Sequence, residues 1–487
     1  MKKSILLYMI GSFLVFFSSC SDWLDVPPKT SINEEDLFQE EAGFKDVLTG
    51  FYLKLGSSAL YGKEFTYKFL ELLAKRYDQM IVTDEQLYNY TGDYKSITES
   101  YYKTVYNVIA NINNFIYYAD RNREVLKTPD YYEIMKGEAL GLRAFLHFDL
   151  LRLFGPVYAE HPDTKCLPYR KALNVLPTLL LPASQFIDSV LVDLHAAEAL
   201  LKDHDPKIYV SDNLNKERNP FLVFRQTRMN IYAVYAMLAR VYLYKGDAAS
   251  KAKAYEYALE VIHSGYFELA KNNSVNRILF QEHIFCLYIH ELDKIVDSDF
   301  KQISSSNMAD HPETINTVFE LNSGGATDFR MNSYAFELQD NVKVLRKYDQ
   351  TGYRDPAIVG GRNAMPLIRL PEMYYILAEC AETASESADW LNLMRQTRGI
   401  PSSEDLLGDA SFDQLDNRPE HNDTHTRRIN EIMKEYSKEY YGEGQLFYLY
   451  KRLVYRRFYK CPFANGMKDE YFTPKIPDNE YFFGNNN

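Results

Sequence analysis

Residues 137–158, GEALGLRAFLHFDLLRLFGPVY, limit the fold more than any other stretch of this chain. On a helix, at about 100° per residue, they present two apolar faces. Leu140, Ala144, Phe148 and Leu151 form one. Ala139, Leu142, Leu146, Leu150 and Leu153 form the other, and a narrow polar strip of Glu138, Asp149 and Arg152 runs between them. A surface helix needs one apolar face. A helix with two is sandwiched between neighbours, as in a helical stack. Gly155-Pro156 ends it, because proline cannot continue the hydrogen-bond ladder and disfavours helical geometry in the residue before it. Alone, such a helix would equally suit the core of any large α-helical protein.

The chain begins with a leader. Lys2-Lys3 supply a positive end, and residues 5–17 are mainly apolar, too short to span a bilayer. Phe17-Ser18-Ser19-Cys20 then sets small residues before a cysteine, which resembles a lipoprotein cleavage box with Cys20 as the lipidated residue. Residues 1–19 are thus read as a signal peptide and residues 20–33 as a lipidated tether, held extended by Pro27-Pro28. No later stretch approaches 18 consecutive apolar residues.

Residues 34–54, 65–76, 101–118 and 185–202 read as helices, the last with Ser184 as its cap. The clearest repeat is 229–265. Ala239, Tyr242, Gly246, Tyr255 and Ala258 follow the small–aromatic–Gly–aromatic–small pattern of a tetratricopeptide unit, with Gly246-Asp247 at the turn. Lys251 breaks the pattern where a small residue is expected, with Ala252 one place late. Residues 266–365 lack strong helical period and hold short β-like runs such as 283–289 (HIFCLYI). Helix–turn–helix returns over 367–397, and 427–455 is a terminal helical region. The expected fold is mainly α: a tetratricopeptide-like stack over about 34–265 and 366–455, one domain spanning 34–487, with long irregular loops and minor β structure.

Several blocks along this order resemble one family. Gly137-Glu138-Ala139…Leu142-Arg143-Ala144-Phe145…Arg152-Leu153-Phe154-Gly155-Pro156, Ile368-Arg369-Leu370-Pro371-Glu372-Met373, Glu439…Gly442-Glu443-Gly444, and the closing Ile476-Pro477…Glu480 are similar to the SusD/RagB family of nutrient-binding outer-membrane lipoproteins. Two departures are Lys438, where the family has Arg, and Leu449-Tyr450, where it has Asp-Leu. The resemblance implies a lipid-anchored outer-membrane protein, displayed outward by the acidic Asp22 and Asp25. It implies a partner too, a SusC-like TonB-dependent barrel, to which captured oligosaccharide would be delivered. The same architecture binding peptide, as RagB-like members do, is the alternative; a repeat scaffold that binds only protein is another.

The residues themselves favour binding over catalysis. The chain carries 40 Tyr and 29 Phe but only 2 Trp, so any stacking platform must use Tyr or Phe. Its net charge of −12, without a Lys/Arg cluster, argues against nucleic acid. It has no phosphate-binding glycine loop, His-Glu-x2-His motif or nucleophile elbow, so no enzyme is expected. Cys166, Cys286, Cys380 and Cys461 are far apart and make no zinc pattern. His421 and His425 flank Asp423 in a polar loop, a weak metal signal. No cofactor is expected, and the pattern of loop carboxylates reads neither for nor against a structural calcium. Residues 77–96 (YDQMIVTDEQLYNYTGDYKS) have no sustained period and read as a long functional loop. Within it Tyr88, Asn89, Tyr90 and Tyr94 offer rings for sugar C–H faces and groups for hydroxyls, beside Arg76 and Asp78. The resemblance adds a contribution from the long later segment, assigned to Arg330 and Tyr334.

Overall fold

The computed structural model describes residues 34–173, 178–206, 208, 219–274, 276–301, 308–350, 361–418 and 424–483. The leader and tether, Cys20 included, lie outside them, as do His421 and Asp423. Helix forms 55% of the described residues and strand 8%, so the fold is mainly α. The labelled elements are α1 (Glu41–Leu55), α2 (Asp93–Arg121), α3 (Tyr131–Phe154), β1 (Lys165–Pro168), β2 (Leu180–Pro182), α4 (Ala183–Leu201), α5 (Ile231–Lys245), α6 (Ala248–His263), β3 (His283–Tyr288), β4 (Ala309–Asp310), β5 (Phe336–Gln339), β6 (Val342–Leu345), β7 (Ala364–Arg369), α7 (Leu370–Cys380), α8 (Ala384–Thr397), α9 (Arg427–Glu439) and α10 (Leu446–Arg452).

Helix α3 is buried on almost every side, between α2 and α4. Its polar strip is buried too, and every member is paired. Glu138 accepts from the Tyr52 hydroxyl (2.8 Å) and binds Arg225. Asp149 accepts from Tyr61 (2.8 Å) and from Arg152 Nε (3.1 Å). Arg143 makes a two-pronged bond to Asp193 of α4, 2.7 Å on each prong. A charge without a partner in such a place would cost several kcal/mol, so these pairs are a condition of the sandwich. At the C-terminal end Lys451 of α10 reaches in and donates to the carbonyls of Leu153 (2.9 Å) and Gly155 (2.7 Å). It satisfies acceptors that helix geometry leaves open. Burial pulls this amine down to about 7.

The repeat pair forms as its spacing predicts. Asn230 caps α5 by accepting from Ala233 N–H, Gly246 turns the chain at φ 79°, and Asp247 caps α6. The small-residue slot of α6 is filled by Ser250 and Ala254, which are buried, while Ala252 is exposed. Helix α6 packs on α7, and α7 on α8 and α9, extending the stack. Several boundaries differ from expectation, among them the start of α7 at Leu370 after strand β7. Helix α4 starts at Ala183 with no side-chain cap, and Ser184 instead bonds Asp163. The 427–455 helix breaks between α9 and α10 around Gly442 and Gly444. Gly444 has φ 70°, and a Cβ there would stand 2.5 Å from the Thr66 carbonyl, so only glycine fits.

The segment 266–365 holds short strands, as expected, and two short helices, Leu292–Phe300 and Pro312–Val318. Strand β3 pairs antiparallel with β7, Leu287 opposite Met365, and so pins this segment to the entry of α7. β4, β6 and β5 make a three-stranded antiparallel sheet. Beneath it lies a buried ion network. Arg398 spans Glu282 (2.8 Å) and Glu439 (2.9 Å). Arg369 binds Glu282 and Glu439 at 2.8 Å each, and Glu443 at 2.9 Å. Arg330 binds Asp328, Glu435 and Glu439, and Arg395 binds Glu435.

Candidate functional site

The residues 77–96 are not the loop their composition suggests. They contain a helix at Asp84–Tyr88, and α2 begins at Asp93, eight residues before the expected start. Tyr88, Tyr90 and Tyr94 therefore do not alternate along an extended strand. Tyr88 is fully buried, donates to the Leu73 carbonyl (2.9 Å), and packs on Phe463 and Tyr471. Tyr90 is buried and donates to the Tyr471 carbonyl (2.7 Å). Tyr94 is half-buried against Phe69. Asn89 is exposed. The rings expected to meet ligand are thus mostly covered by the chain after α10.

Arg76 and Asp78 are both tied into one cluster around Tyr441 and Asp310. The Arg76 guanidinium lies 4.4 Å over the Tyr441 ring and donates to Ser437 Oγ (2.6 Å) and its carbonyl (2.7 Å). The amides of Tyr77 and Asp78 donate to Asp310 Oδ1 (3.1 and 3.2 Å), and the Tyr441 hydroxyl donates to Oδ2. This fixes the segment against β4. Asp78 then accepts from the His311 amide (2.9 Å), Thr314 Oγ1 (2.6 Å) and the Lys460 amine. Burial works against its charge, but the bonds from Lys460, Thr314 and His311 outweigh that and hold the carboxyl below its usual range. Gln79 Nε2 donates to His311 Nε2 (3.3 Å). The Tyr459 ring, 50% exposed, stands beside Lys460, whose amine is 5.4 Å from the ring centre. Ile81 is 86% exposed on the same segment as Gln79.

The backbone here is strained. Lys75, Tyr77 and Tyr90 on one segment, and Val454 and Lys460 on the other, all have positive φ without being glycine. Each such residue costs of order 1–3 kcal/mol, and they gather at functional sites. An exposed ring bordered by a fixed carboxylate, an amide, an imidazole and an ammonium can recognise a ligand with apolar faces and hydroxyl edges.

Arg330 stays inside the ion network, fully engaged by carboxylates, so it is withdrawn from any ligand; this corrects its expected role. Tyr334 is 42% exposed, and among the described contacts none joins it to the Asp78 cluster. His311, Thr314, Tyr459, Lys460 and Gln79 escaped the sequence reading. Asp78 and Lys460 lie 382 residues apart, and no spacing rule reaches so far. His425, the described member of the weak histidine motif, donates from Nε2 to the Leu453 carbonyl (2.8 Å). Cys166, Cys286, Cys380 and Cys461 are free thiols.

Comparison with known proteins decides the family. A SusD-like family model described as starch-binding and associating with the outer membrane matches residues 22–243, and a SusD family model matches residues 261–486. The chain belongs to the SusD/RagB family. No curated protein matches it. Among solved structures it is similar to a SusD-like carbohydrate-binding protein from Bacteroides vulgatus, with TM-score 0.65, 17% identity, and 92% of this chain and 97% of that one covered. A SusD superfamily protein from Bacteroides thetaiotaomicron gives TM-score 0.63 at 21% identity, covering 85% and 89%. One from Bacteroides fragilis gives 0.61 at 19%, covering 93% and 100%. At these identities the likeness is one of fold. Among this chain's described residues no helix is long and apolar enough to cross a membrane.

Proposed function

We propose that this SusD-family protein captures carbohydrate at the face formed by Asp78, Gln79, His311, Tyr459 and Lys460. The exposed Tyr459 ring beside tightly held polar groups carries the reading. Sugars offer C–H faces to such a ring and hydroxyls to its neighbours. The carbohydrate-binding SusD-like relative supports the ligand class. None of the matches speaks for the peptide alternative. We read the protein as a binder without catalysis, anchored by lipid at Cys20 on the outer membrane and facing outward. It would pass its ligand to a SusC-like TonB-dependent barrel, because a tethered binder has no route of its own across a membrane.

Calorimetry of the protein against a panel of oligosaccharides and peptides tests the ligand class. Binding of at least one oligosaccharide, with no peptide bound, is the expected result. Peptide binding alone would overturn it.

Tyr459→Ala tests the place. Losing a well-used ring costs roughly 1–3 kcal/mol, or about 5- to 150-fold in affinity. Melting temperature should barely move, because exposed substitutions usually stay within about 0.5 kcal/mol. Unchanged affinity for a sugar that the wild type binds would move the site elsewhere.

A further inference from the structure

A cavity of about 50 Å3 lies where α3, α5, α7, α9 and α10 meet. Its wall is charged. Arg240 binds Glu372 (2.6 Å), Arg452 binds Glu379 (2.6 Å), and Arg152, tied to Asp149 and Gln445, completes the lining. Tyr375 of α7 lines it with a buried hydroxyl that has no hydrogen-bond partner, and so do Tyr244 of α5 and Tyr448 of α10. Burial pushes the phenols of Tyr244 and Tyr448 up, so each keeps a proton to donate. The charges that act on them include those of the wall: Arg152 and Arg452 on Tyr244, Arg152 and Arg240 on Tyr448. Both side chains line the same chamber.

A buried hydroxyl without a partner forfeits the bond it makes to water in the unfolded chain. Three on residues lining one cavity need an explanation. An apolar cavity stays dry, but a polar one fills when each water finds partners and about 10–15 Å3. This chamber has room for roughly three or four. We propose that it permanently holds a small cluster of ordered waters, which accept from Tyr244 and Tyr448 and bridge them to the ion pairs of α5 and α7. The site takes water as its ligand and is independent of the sugar reading. The cluster joins α5 to α10, elements about 200 residues apart in sequence, through solvent rather than through side chains.

Replacing each tyrosine by phenylalanine gives opposite signs for a filled and an empty chamber. Phenylalanine keeps the ring, including the Tyr448 face that lies 4.0 Å from the Arg152 guanidinium. In a filled chamber, Tyr244→Phe and Tyr448→Phe each remove a bond to water and lower the melting temperature of the full chain by about 1–2 °C. The double variant loses less than the sum, because the two hydroxyls share waters. In a dry chamber the same changes relieve an unsatisfied group, and the melting temperature stays put or rises. That result in both single variants would overturn the proposal. A crystal structure that resolves solvent gives the second reading: waters within hydrogen-bond distance of both hydroxyls support it, and an empty chamber overturns it even if a variant fails to fold.

Discussion

Replacing Arg398 by Met should destabilise the protein by about 3–5 kcal/mol, read from the urea midpoint at neutral pH. Arg398 is completely buried and reaches both oxygens of Glu282 and both of Glu439, besides the Ala270 carbonyl. Methionine fills part of the volume but leaves two buried carboxylates short of a cation. Arg369 remains beside both, so the loss stays below that of two naked charges. A control separates burial from ion pairing as such. Lys253–Glu256 is exposed on both sides, and Glu256→Gln should shift stability by less than about 0.5 kcal/mol. Equal effects at the two sites would show that the buried network has no special weight.

The second large effect is a pH slope owed to one carboxyl. Glu71 is fully buried and accepts from the Gly444 amide (2.6 Å). Burial raises it to about 7, against the pull of Arg76 and the amides of Gly444 and Gly442. The unfolded value is about 4.3. Between these limits the folded state binds the extra proton, so stability falls as pH rises from about 4.3 to 7 and is level above. The swing is on the order of 3 kcal/mol. Glu71→Gln removes it. The variant should gain on the wild type by that order at pH 8 relative to pH 4.5, measured by urea midpoints. No change in the difference between the two pH values would mean the carboxyl is already ionised at low pH. Glu435 and Glu439 act the other way. Burial alone would raise them, but the cations around them, Lys438, Arg330 and Arg395 on Glu435 and Arg398, Arg369 and Arg330 on Glu439, hold them below the usual range. The stability they supply is present above about pH 4.3 and fades only in stronger acid.

Much of the helical frame is legible because its causes are local. The two-faced pattern of α3 and the Gly246-Asp247 turn lie within one window of sequence, and they form as read. The β-like run at β3 is legible as a strand, but its partner β7 is not, since register depends on a segment about 80 residues away. The same limit explains the tyrosines. Nothing near Tyr88 announces that Phe463 and Tyr471 will cover it. Arg330 fails as a ligand residue for a related reason: its three carboxylate partners include two from α9, more than 100 residues on. Asp78 belongs to the proposed face while Arg76 is buried against Tyr441, and the exposed ring beside Lys460 had no signal at all.

Bonds between the first helices and the last ones span most of the sequence. Glu71 is made 373 residues before Gly444, Arg76 361 before Ser437, and the Leu153 carbonyl 298 before Lys451. A ribosome releases these groups long before anything exists to satisfy them. Contacts within α5–α6 are short-range and quick to form, whereas these long closures are slow. Sealing the middle of the protein early would strand a carboxyl and a guanidinium in a dry interior. Closing the middle of this protein therefore requires its two ends to be present together.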